Sequence, residues 1–391
     1  MYSLEDIELT SRTTVTALLS AGKFSRVYLC KHAHLHGNLA PVTLVIKVYP
    51  RVIAMTRHAR ITTEKAVMTR IGEHRNPFMV RLIETLKDNA HLYIVMEAYR
   101  HGHLNSHVAG SRERSLSVAV LRNYAAEIVS ALLCLMTCGC VHRDIKPKNF
   151  MIDKFGHLRL GDFGSSKILF ESEKFSEIIM HGTEISPRTH TIIGTMQYMA
   201  PEILSKSCGY SVHVDWWAFG VMLFEIICGV SPVLSGVATL DNNSAVAAAS
   251  QGFWPDPATS AIAHDAAIKR LPCDNQLNKD EGDLTTPSSM PWYPVLNPTT
   301  SAILSSSPLH RYAWHFIKNL LIPCPHDRLG PWREDLVKSH PFFEGVDWDL
   351  VDSGSSPAPD PDFHQLKGLW DEEEETQSIS EDIEPNVFEG F

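Results

Sequence analysis

The chain has 391 residues, of which 44% are hydrophobic and 20% charged, a composition typical of folded globular proteins with room for roughly two or three packed units. Its formal net charge of -10 argues against nucleic-acid binding, which requires a basic surface. The N-terminus lacks the features of a secretion signal, and the longest apolar run is too short to cross a bilayer. We therefore expect a cytoplasmic protein without a membrane span, and entry into the nucleus stays open.

Strand patterns dominate the N-terminal part of the chain. The stretches "VTALLS", "RVYLC" and "VTLVIKVY" within residues 15–49 are apolar and β-branched, and a glycine-containing turn follows the first. One more strand, "LYIVMEAY", covers residues 92–99. These patterns predict a small β-rich layer.

A helical period interrupts the strands. From Arg57 to His74 one helical face collects Ile61, Glu64, Val67, Met68 and Ile71. Glu64 therefore lies on the stripe that should be buried, where a carboxylate is costly unless it is paired. Lys47 poses the opposite problem inside the apolar strand "VIKV". We expect Lys47 and Glu64 to meet.

Helical patterns follow near residue 100. They comprise "LRNYAAEIVSALLCLMTCG", "VDWWAFGVMLFEIICG" and "YAWHFIKNLL". Polar and turn-forming residues dominate 235–300, which indicates an exposed insertion, and the stretch after Asp347 is loop-like for the same reason. The change from strands to helices predicts two lobes.

Six motifs stand in a fixed order along the chain. They are "LLSAGKFSRV", Lys47, Glu64, "HRDIKPKN" (142–149), "DFG" (162–164) and "APE" (200–202). Each has an ordinary structural alternative: Lys47 as a strand lysine that snorkels, Glu64 as a surface ion pair, Asp162 and Gly164 as a turn. Together, in this order and on these elements, the motifs form a specific signal.

With these motifs the chain resembles eukaryotic protein kinases, and more narrowly their AGC group, through "KDNAHLYIVME", "VDWWAFGV", "SHPFFEGVDW" and "FEGF". The resemblance implies an α+β, two-lobed protein-kinase fold, with a small antiparallel β-rich N-lobe carrying one helix and a larger, mainly helical C-lobe. The implied domains are an N-lobe at 1–97, a C-lobe at 98–343 with insertions near 170–188 and 240–300, and an AGC-type tail at 344–391.

The implied activity is transfer of the γ-phosphate of ATP to protein Ser or Thr hydroxyls with Mg²⁺. Such transfer depends on positioning and on neutralising charge. Lys47, held by Glu64, would bind the α- and β-phosphates, and Lys146 the γ-phosphate. Asp144 would accept the proton of the substrate hydroxyl. Asn149 and Asp162 would supply hard oxygen ligands for Mg²⁺.

The resemblance also implies an adenine pocket. The Glu97 carbonyl and the Tyr99 amide would bond the adenine edge, with Met96 behind it. Apolar side chains of Val27, Val45 and Met151 would sandwich the ring, as is usual at ligand sites; the alternative is plain core packing.

The loop formed by Ser20, Ala21 and Gly22 would cover the phosphates. It departs from the family pattern because Ser20 and Ser25 replace two of three glycines, whose backbones approach phosphates and adopt positive φ. We expect nucleotide binding to survive, at reduced affinity.

Two further departures concern the substrate. Within the AGC group, the chain resembles the cyclic-AMP-dependent protein kinases most in layout. Lys148 and His103 stand at two positions where those kinases have acids that recognise substrate arginine. Of the three such positions, only Glu225 keeps its acid. A strong preference for basic substrates is therefore in doubt; alternatively, Lys148 is a solvated cation without a role.

Regulation is implied at two places. Thr191 matches an activating phosphothreonine whose phosphate would pair with Arg143, Lys167 and Arg60; the alternative is an unmodified loop residue. In the acidic tail, Trp370 matches an aromatic residue that approaches the nucleotide, and Phe388 and Phe391 match a terminal Phe-x-x-Phe motif that docks in a groove of the small lobe. Ser378 or Ser380 is a candidate phosphosite.

The partners implied are a protein substrate, an upstream activating kinase and a regulatory protein. The rival hypothesis is a nucleotide-binding pseudokinase that acts as a regulatory scaffold. The two loop serines and the long insertions favour this rival, whereas the intact Lys47, Glu64, Asp144, Asn149 and Asp162 oppose it.

Overall fold

The structure is a computed structural model, and it describes residues 13–22, 24–33, 41–88, 90–109, 116–170, 188–204, 209–229, 232, 298–330, 333–360 and 363. The predictions for Trp370, Ser378, Ser380, Phe388 and Phe391, and for most of the two insertions, lie outside the described residues.

The small lobe is a five-stranded antiparallel sheet in the order β1-β2-β3-β5-β4. Its strands are β1 (Thr13–Ala21), β2 (Arg26–His32), β3 (Val42–Pro50), β4 (Leu82–Lys87) and β5 (His91–Glu97). Strand β4 was not predicted from the sequence. Its residues, "LIETLK", lie at the edge of the sheet, where none of them is fully buried. The alternation of apolar and polar residues is therefore weak.

Strand register divides the sheet into two faces. Val27 pairs with Lys47, and Val45 pairs with Met96, so these side chains share one face. The opposite face buries a separate apolar cluster made of Cys30, Leu44, Ile46, Tyr93 and Val95. The Val27 face is thereby turned toward the rest of the molecule.

Helix α1 (Arg51–Glu73) packs beside this sheet. It begins directly after Pro50, earlier than the predicted start at Arg57, since a residue with the fixed φ of proline is compatible with a helix start. The predicted stripe is buried, and Glu64 within it is 2% exposed.

The large lobe is mainly helical. Its helices are α2 (Leu104–Ala109), α3 (Val118–Thr137), α4 (Pro201–Leu204), α5 (His213–Cys228), α6 (Pro298–Ser305), α7 (Pro308–Leu320), α8 (Glu334–Lys338) and α9 (Trp348–Asp352). Helices α3, α5 and α7 pack together in its core, and Ser117 and Ser307 cap the starts of α3 and α7. The predicted two-lobed α+β fold is confirmed.

The expectation that no apolar stretch is long enough to cross a bilayer is wrong for helix α3, which passes by length and composition alone, with a mean hydropathy of 1.6. In the structure 78% of that window is buried inside the protein. The same composition suits a helix at the centre of a folded lobe, which is the position α3 occupies.

Short elements bring the motifs together between the lobes. They are β6 (Cys140–Val141), a 3₁₀ turn (Pro147–Asn149), β7 (Phe150–Ile152), β8 (Leu158–Leu160), a second 3₁₀ turn (Phe163–Ser165) and β9 (Lys167–Ile168). β7 pairs with β8, and β6 pairs with β9. These two pairings place "HRDIKPKN" beside "DFG".

The loop predicted after Asp347 is wrong in its first part, because α9 forms there. The Asp347 side chain caps the helix by accepting from the backbone N–H groups of Asp349 and Leu350. Val351 is buried, and Asp352 accepts a hydrogen bond from the Ser130 hydroxyl of α3 at 2.8 Å. A five-residue helix is too short for periodicity to reveal.

Candidate active site

Lys47 lies between two carboxylates at the junction of the lobes. Its Nζ is 2.8 Å from Glu64 Oε1 and 2.9 Å from Asp162 Oδ1. Burial lowers the pKa of Lys47, but Glu64 and Asp162 outweigh this effect and raise the pKa well above its ordinary value. Lys47 is therefore a fixed cation, and the predicted contact with Glu64 is present.

Glu64 has a second partner in the sheet. The Tyr49 hydroxyl donates to Glu64 Oε2, so both carboxylate oxygens are satisfied although the residue is buried. These two partners compensate the free energy that is lost when a charged carboxylate is buried on the apolar stripe of α1.

Asp162 begins the second 3₁₀ turn in a left-handed conformation, with φ of 58°. The positive charge of Lys47 lowers the pKa of Asp162 to about 2, even though 51% of the side chain is exposed. One oxygen binds Lys47, and the other makes no hydrogen bond to any described residue. A permanently ionised oxygen is thus open to the cleft.

Asp215 of α5 holds the backbone of the loop that precedes β7. Its carboxylate accepts from the His142 and Arg143 N–H groups at 2.7 and 2.8 Å. Burial raises the pKa of Asp215, and the two hydrogen bonds and His142 oppose that rise. Arg143 adopts a positive φ of 68°, which this contact supports.

Asp144 is fixed on both oxygens. Oδ1 accepts from the backbone N–H and the hydroxyl of Thr195 at 2.9 and 2.6 Å, and Oδ2 accepts from Lys146 Nζ at 2.7 Å. Lys146 also donates to the Thr195 hydroxyl at 2.7 Å. The carboxylate that would receive a proton is therefore held in one orientation.

Sequence reasoning missed Thr195. It follows Gly194, whose φ is 111° and at which a Cβ would lie 2.2 Å from the Arg143 carbonyl oxygen. A glycine followed by a hydroxyl residue just before "APE" is the signal that was available. This pair of residues alone does not predict a contact with Asp144. The close approach of Gly194 to the Arg143 carbonyl becomes visible only in the structure.

Asn149 has the orientation expected of an oxygen ligand. Its Nδ2 donates to the Asp144 carbonyl at 2.7 Å, which leaves Oδ1 without a partner among the described residues. Lys146 contributes to the lowered pKa of Asp162, so the two halves of the site also interact electrostatically. The predicted catalytic and metal-binding residues therefore converge on one cleft.

The predicted adenine residues lie on both lobes, on β2, β3 and the end of β5 in the small lobe and on β7 in the large lobe. Val27 and Val45 share the face of Lys47. Met151 is half-buried on β7, whose neighbouring residues are fully buried. At the end of β5 the Tyr99 hydroxyl donates to Glu97 Oε2 at 2.8 Å, and burial, reinforced by Glu97, raises the pKa of Tyr99.

The loop after β1 is open. Ser20, Ala21 and Gly22 are exposed, and the Gly22 N–H donates to the Ser25 carbonyl at 2.9 Å. Gly22 does not adopt a positive φ, but a Cβ there would lie 3.3 Å from the Ser25 carbonyl oxygen. Close backbone approach, and not a left-handed turn, is what favours glycine here.

The surroundings of Thr191 are basic. Thr191 is exposed, and its carbonyl accepts from the Tyr210 hydroxyl. Arg143 donates to the Ser165 and Ser166 carbonyls at 2.6 and 3.0 Å, and Lys167 donates to the Thr189 hydroxyl at 2.9 Å. Arg60 is exposed on α1.

The three positions linked to substrate choice differ in exposure. Lys148 is exposed on the turn Pro147–Asn149, and His103 is half-buried just before α2, the helix that packs against this turn. Glu225 is 6% exposed and accepts from the Tyr198 hydroxyl, and burial raises its pKa.

Comparison with known proteins assigns the chain to a family. The sequence profile of the protein kinase domain matches residues 13–343. The chain is 36% identical to the cAMP-dependent protein kinase, catalytic subunit-like, of Caenorhabditis elegans over 214 residues, 55% of this chain and 48% of the relative.

Two human proteins are also similar. Identity is 32% over 232 residues to the cAMP-dependent protein kinase catalytic subunit PRKX, covering 59% of this chain and 56% of that protein. It is 28% over 362 residues to ribosomal protein S6 kinase alpha-4, covering 91% of this chain and 37% of that protein. The chain thus spans about half the length of these relatives or less, and the predicted resemblance to AGC-type Ser/Thr kinases is confirmed.

Proposed function

The chain belongs to the protein kinase domain family, and from that premise we propose that it is a protein serine/threonine kinase that transfers the γ-phosphate of ATP to protein hydroxyls. One observation carries the proposal: the Lys47 cation bridges Glu64 and Asp162 in the same cleft in which Thr195 and Lys146 fix Asp144. A chain that only bound nucleotide would have no use for the second arrangement.

Asp144 acts on the substrate hydroxyl. Because Thr195 and Lys146 hold its carboxylate, the group meets the incoming hydroxyl in one orientation, directs it toward the phosphorus and accepts its proton. Lys146 binds Asp144 and contributes to the lowered pKa of Asp162, so its charge would neutralise charge on the transferred group. Lys47 binds the remaining phosphates as a fixed cation.

Asn149 and Asp162 would hold Mg²⁺. The donor set fits, since each residue presents one oxygen without a described partner, and the Asp162 oxygen is ionised. When bound, the ion supplies positive charge to the phosphate oxygens. Val27, Val45 and Met151 would enclose the adenine, and the backbone of Glu97 and Tyr99 would bond its edge.

Phosphorylation of Thr191 belongs to the same proposal. Arg143 now donates to backbone carbonyls, and Lys167 donates to the Thr189 hydroxyl. A phosphate on the exposed Thr191 side chain would accept stronger, charge-assisted hydrogen bonds from both cations. An upstream kinase, a regulatory protein and a cytoplasmic location complete the proposed setting. Thr191→Ala should lower activity, and mass spectrometry of active protein should find the phosphate on Thr191.

Phosphotransfer tests the proposed function. Purified protein is supplied with Mg-ATP labelled on the γ-phosphate and a mixed library of Ser and Thr peptides, with Asp144→Asn as the matched variant. The proposal expects labelled peptide from the wild type and almost none from the variant. Nucleotide binding without transfer would overturn it in favour of the pseudokinase.

A further inference from the structure

Lys148 is an exposed cation on the loop that carries Asp144. It lies within the 3₁₀ turn Pro147–Asn149, and the next residue, Asn149, is bonded to the Asp144 backbone. Lys148 is exposed, and no carboxylate in the described part of the chain forms an ion pair with it. Because Lys148 is on the same loop as Asp144, and Asn149 beside it bonds the Asp144 carbonyl, a protein segment with its hydroxyl at Asp144 has this amine in its neighbourhood.

His103 stands next to Lys148. Its backbone pairs with Met151 of β7, and α2, which follows it, packs against the turn that carries Lys148. His103 Nδ1 accepts from the Ser106 N–H at 3.1 Å, which leaves Nε2 as the ring nitrogen that carries hydrogen. Burial, and next the charge of Lys148, lower the pKa of His103, in agreement with this proximity. We call Lys148 and His103 the basic rim.

Three acids are candidates for receiving a cationic side chain of a substrate. Asp144 is bonded on both oxygens, to Thr195 and Lys146, and Glu225 is 6% exposed and accepts a hydrogen bond from the Tyr198 hydroxyl. Glu97 accepts a hydrogen bond from the Tyr99 hydroxyl, and its other oxygen lies 3.9 Å from Arg81 Nη1. None of the three is an exposed carboxylate without a donor or a cation beside it. A positive charge brought here would instead meet Lys148, and like-charge contacts are costly.

We infer that the basic rim selects protein substrates that carry negative charge within a few residues of the phosphoacceptor. The chemistry recognised is an anionic oxygen, which Asp, Glu or a phosphorylated residue can supply. A lysine ammonium and a histidine N–H bind such oxygens by charge-assisted hydrogen bonds. This inference depends on the proposed kinase function and names its substrate class.

The test compares peptides that differ in one residue. Each contains a single Ser acceptor in a neutral background, with Glu, phosphoserine, Arg or Gln placed in turn at each of the flanking positions. We expect kcat/KM for the best Glu or phosphoserine peptide to exceed the Gln peptide by roughly fivefold and the Arg peptide to fall below it. The Glu and phosphoserine arms decide which source of anionic oxygen binds better. Raising the salt concentration should shrink the preference.

Charge reversal assigns the preference to the basic rim. In Lys148→Glu, the ratio of kcat/KM for acidic over neutral peptide should fall about tenfold, and the Arg peptide should improve. The ratio is measured within one variant, so a general loss of activity cancels. Lys148→Gln gives an intermediate ratio, and Lys87→Glu, an exposed lysine on β4, should leave the ratio unchanged.

Two results overturn the inference alone. One is a wild type that phosphorylates neutral and acidic peptides equally or prefers Arg, and the other is a Lys148→Glu variant with the wild-type ratio. Failure to phosphorylate any peptide, including the neutral one, would instead overturn the proposed function and the inference that depends on it.

Discussion

Lys47 contacts two carboxylates at once, and the two contacts have different consequences. The contact with Glu64 compensates a charge buried on α1, while the contact with Asp162 keeps that residue ionised. Removing the cation should therefore affect both stability and chemistry.

Lys47→Met tests both effects. Phosphate transfer should fall by about 10²- to 10³-fold, because a preorganised cation at the phosphates is lost. Stability should fall by about 3 to 5 kcal/mol, because Glu64 loses its buried partner. Initial rates and urea denaturation measure the two, with Lys87→Met as the control. The double variant Lys47→Met/Glu64→Gln should recover stability without activity; recovery of activity would refute the assigned role.

Thr195 is a positioning residue for Asp144. Thr195→Val keeps the backbone N–H contact but removes the hydroxyl, so Asp144 and Lys146 lose a shared partner. We expect kcat to fall about tenfold to a hundredfold, with a small change in KM for ATP. Thr195→Ser should restore most of kcat. Equal rates for the Val and Ser variants would show that the hydroxyl is unimportant.

Single residues were predictable where their chemistry conflicted with their surroundings. Lys47 and Glu64 were paired correctly because each is a charge in an apolar pattern, and such charges require partners. Thr195 is small and neutral, so the pattern contains no conflict, and its contact joins residues 51 apart in sequence. Only the folded chain brings it to Asp144.

At the scale of elements, α5 supports the loop that carries Asp144. Within the part of the chain that the structure describes, the buried Asp215 carboxylate accepts hydrogen bonds only from two backbone N–H groups of that loop. The helix thus fixes a backbone with positive φ at Arg143, directly before Asp144, the proposed catalytic residue.

Asp215→Ala should lower stability by about 2 to 5 kcal/mol, since two buried N–H groups lose their acceptor. The rate of phosphate transfer should fall as well. Asp215→Asn keeps one acceptor oxygen, so its stability and its transfer rate should lie between those of the wild type and the Ala variant. Denaturation curves and transfer rates at a temperature where every variant is folded measure the effects. A stable and active Ala variant would contradict the supporting role of α5.

Helix α7 meets the chain before the 3₁₀ turn Pro341–Phe343 through stacked His315 and His340 rings, 5.1 Å apart. Burial, and next the charge of His315, lower the pKa of His340 to about 4, and burial lowers the pKa of His213 in α5 to about 3. In the unfolded chain both histidines have a pKa near 6.5. Between the folded and the unfolded pKa values, the unfolded chain therefore binds more protons than the folded chain.

Stability should therefore be complete above about pH 6.5 and fall as the pH drops toward 4. His340→Asn, which retains an acceptor for the Phe342 N–H, should flatten this dependence. Exposed His74→Asn is the control. Urea midpoints at several pH values provide the measurement, and a slope unaffected by His340→Asn would argue against the assignment.

Elements were predictable in proportion to their length. The strands around Lys47 and the long helices α3 and α5 emerged from periodicity, whereas β4 and α9 did not. β4 is an edge strand whose pattern is set by its single neighbour β5, and α9 depends on the cap by Asp347 and on packing against α3.

Over longer distances in the fold, the chain that follows α9 packs against α2 and against the segment that precedes α2. Asp360 Oδ2 lies 2.9 Å from His107 Nε2 of α2. The Phe363 ring packs against His101 and covers Gly156, where a Cβ would lie 2.6 Å from the ring. The contacts join the C-terminal part to the segment after β5.

Phe363→Ala should lower the free energy of unfolding by about 1 to 2 kcal/mol, because a half-buried ring loses its contacts. Phe155→Ala, a residue that is 60% exposed, should have almost no effect. Chemical denaturation measures both variants. Equal stabilities would mean that Phe363 does not anchor this part of the chain.

The most direct test of the central claim is the amount of phosphopeptide formed for each ADP released, measured with Mg-ATP and a neutral Ser peptide. Our account predicts equal amounts, with both products abolished by Asp144→Asn. ADP without phosphopeptide, or nucleotide binding with neither product, would contradict the assignment of this protein as a serine/threonine kinase.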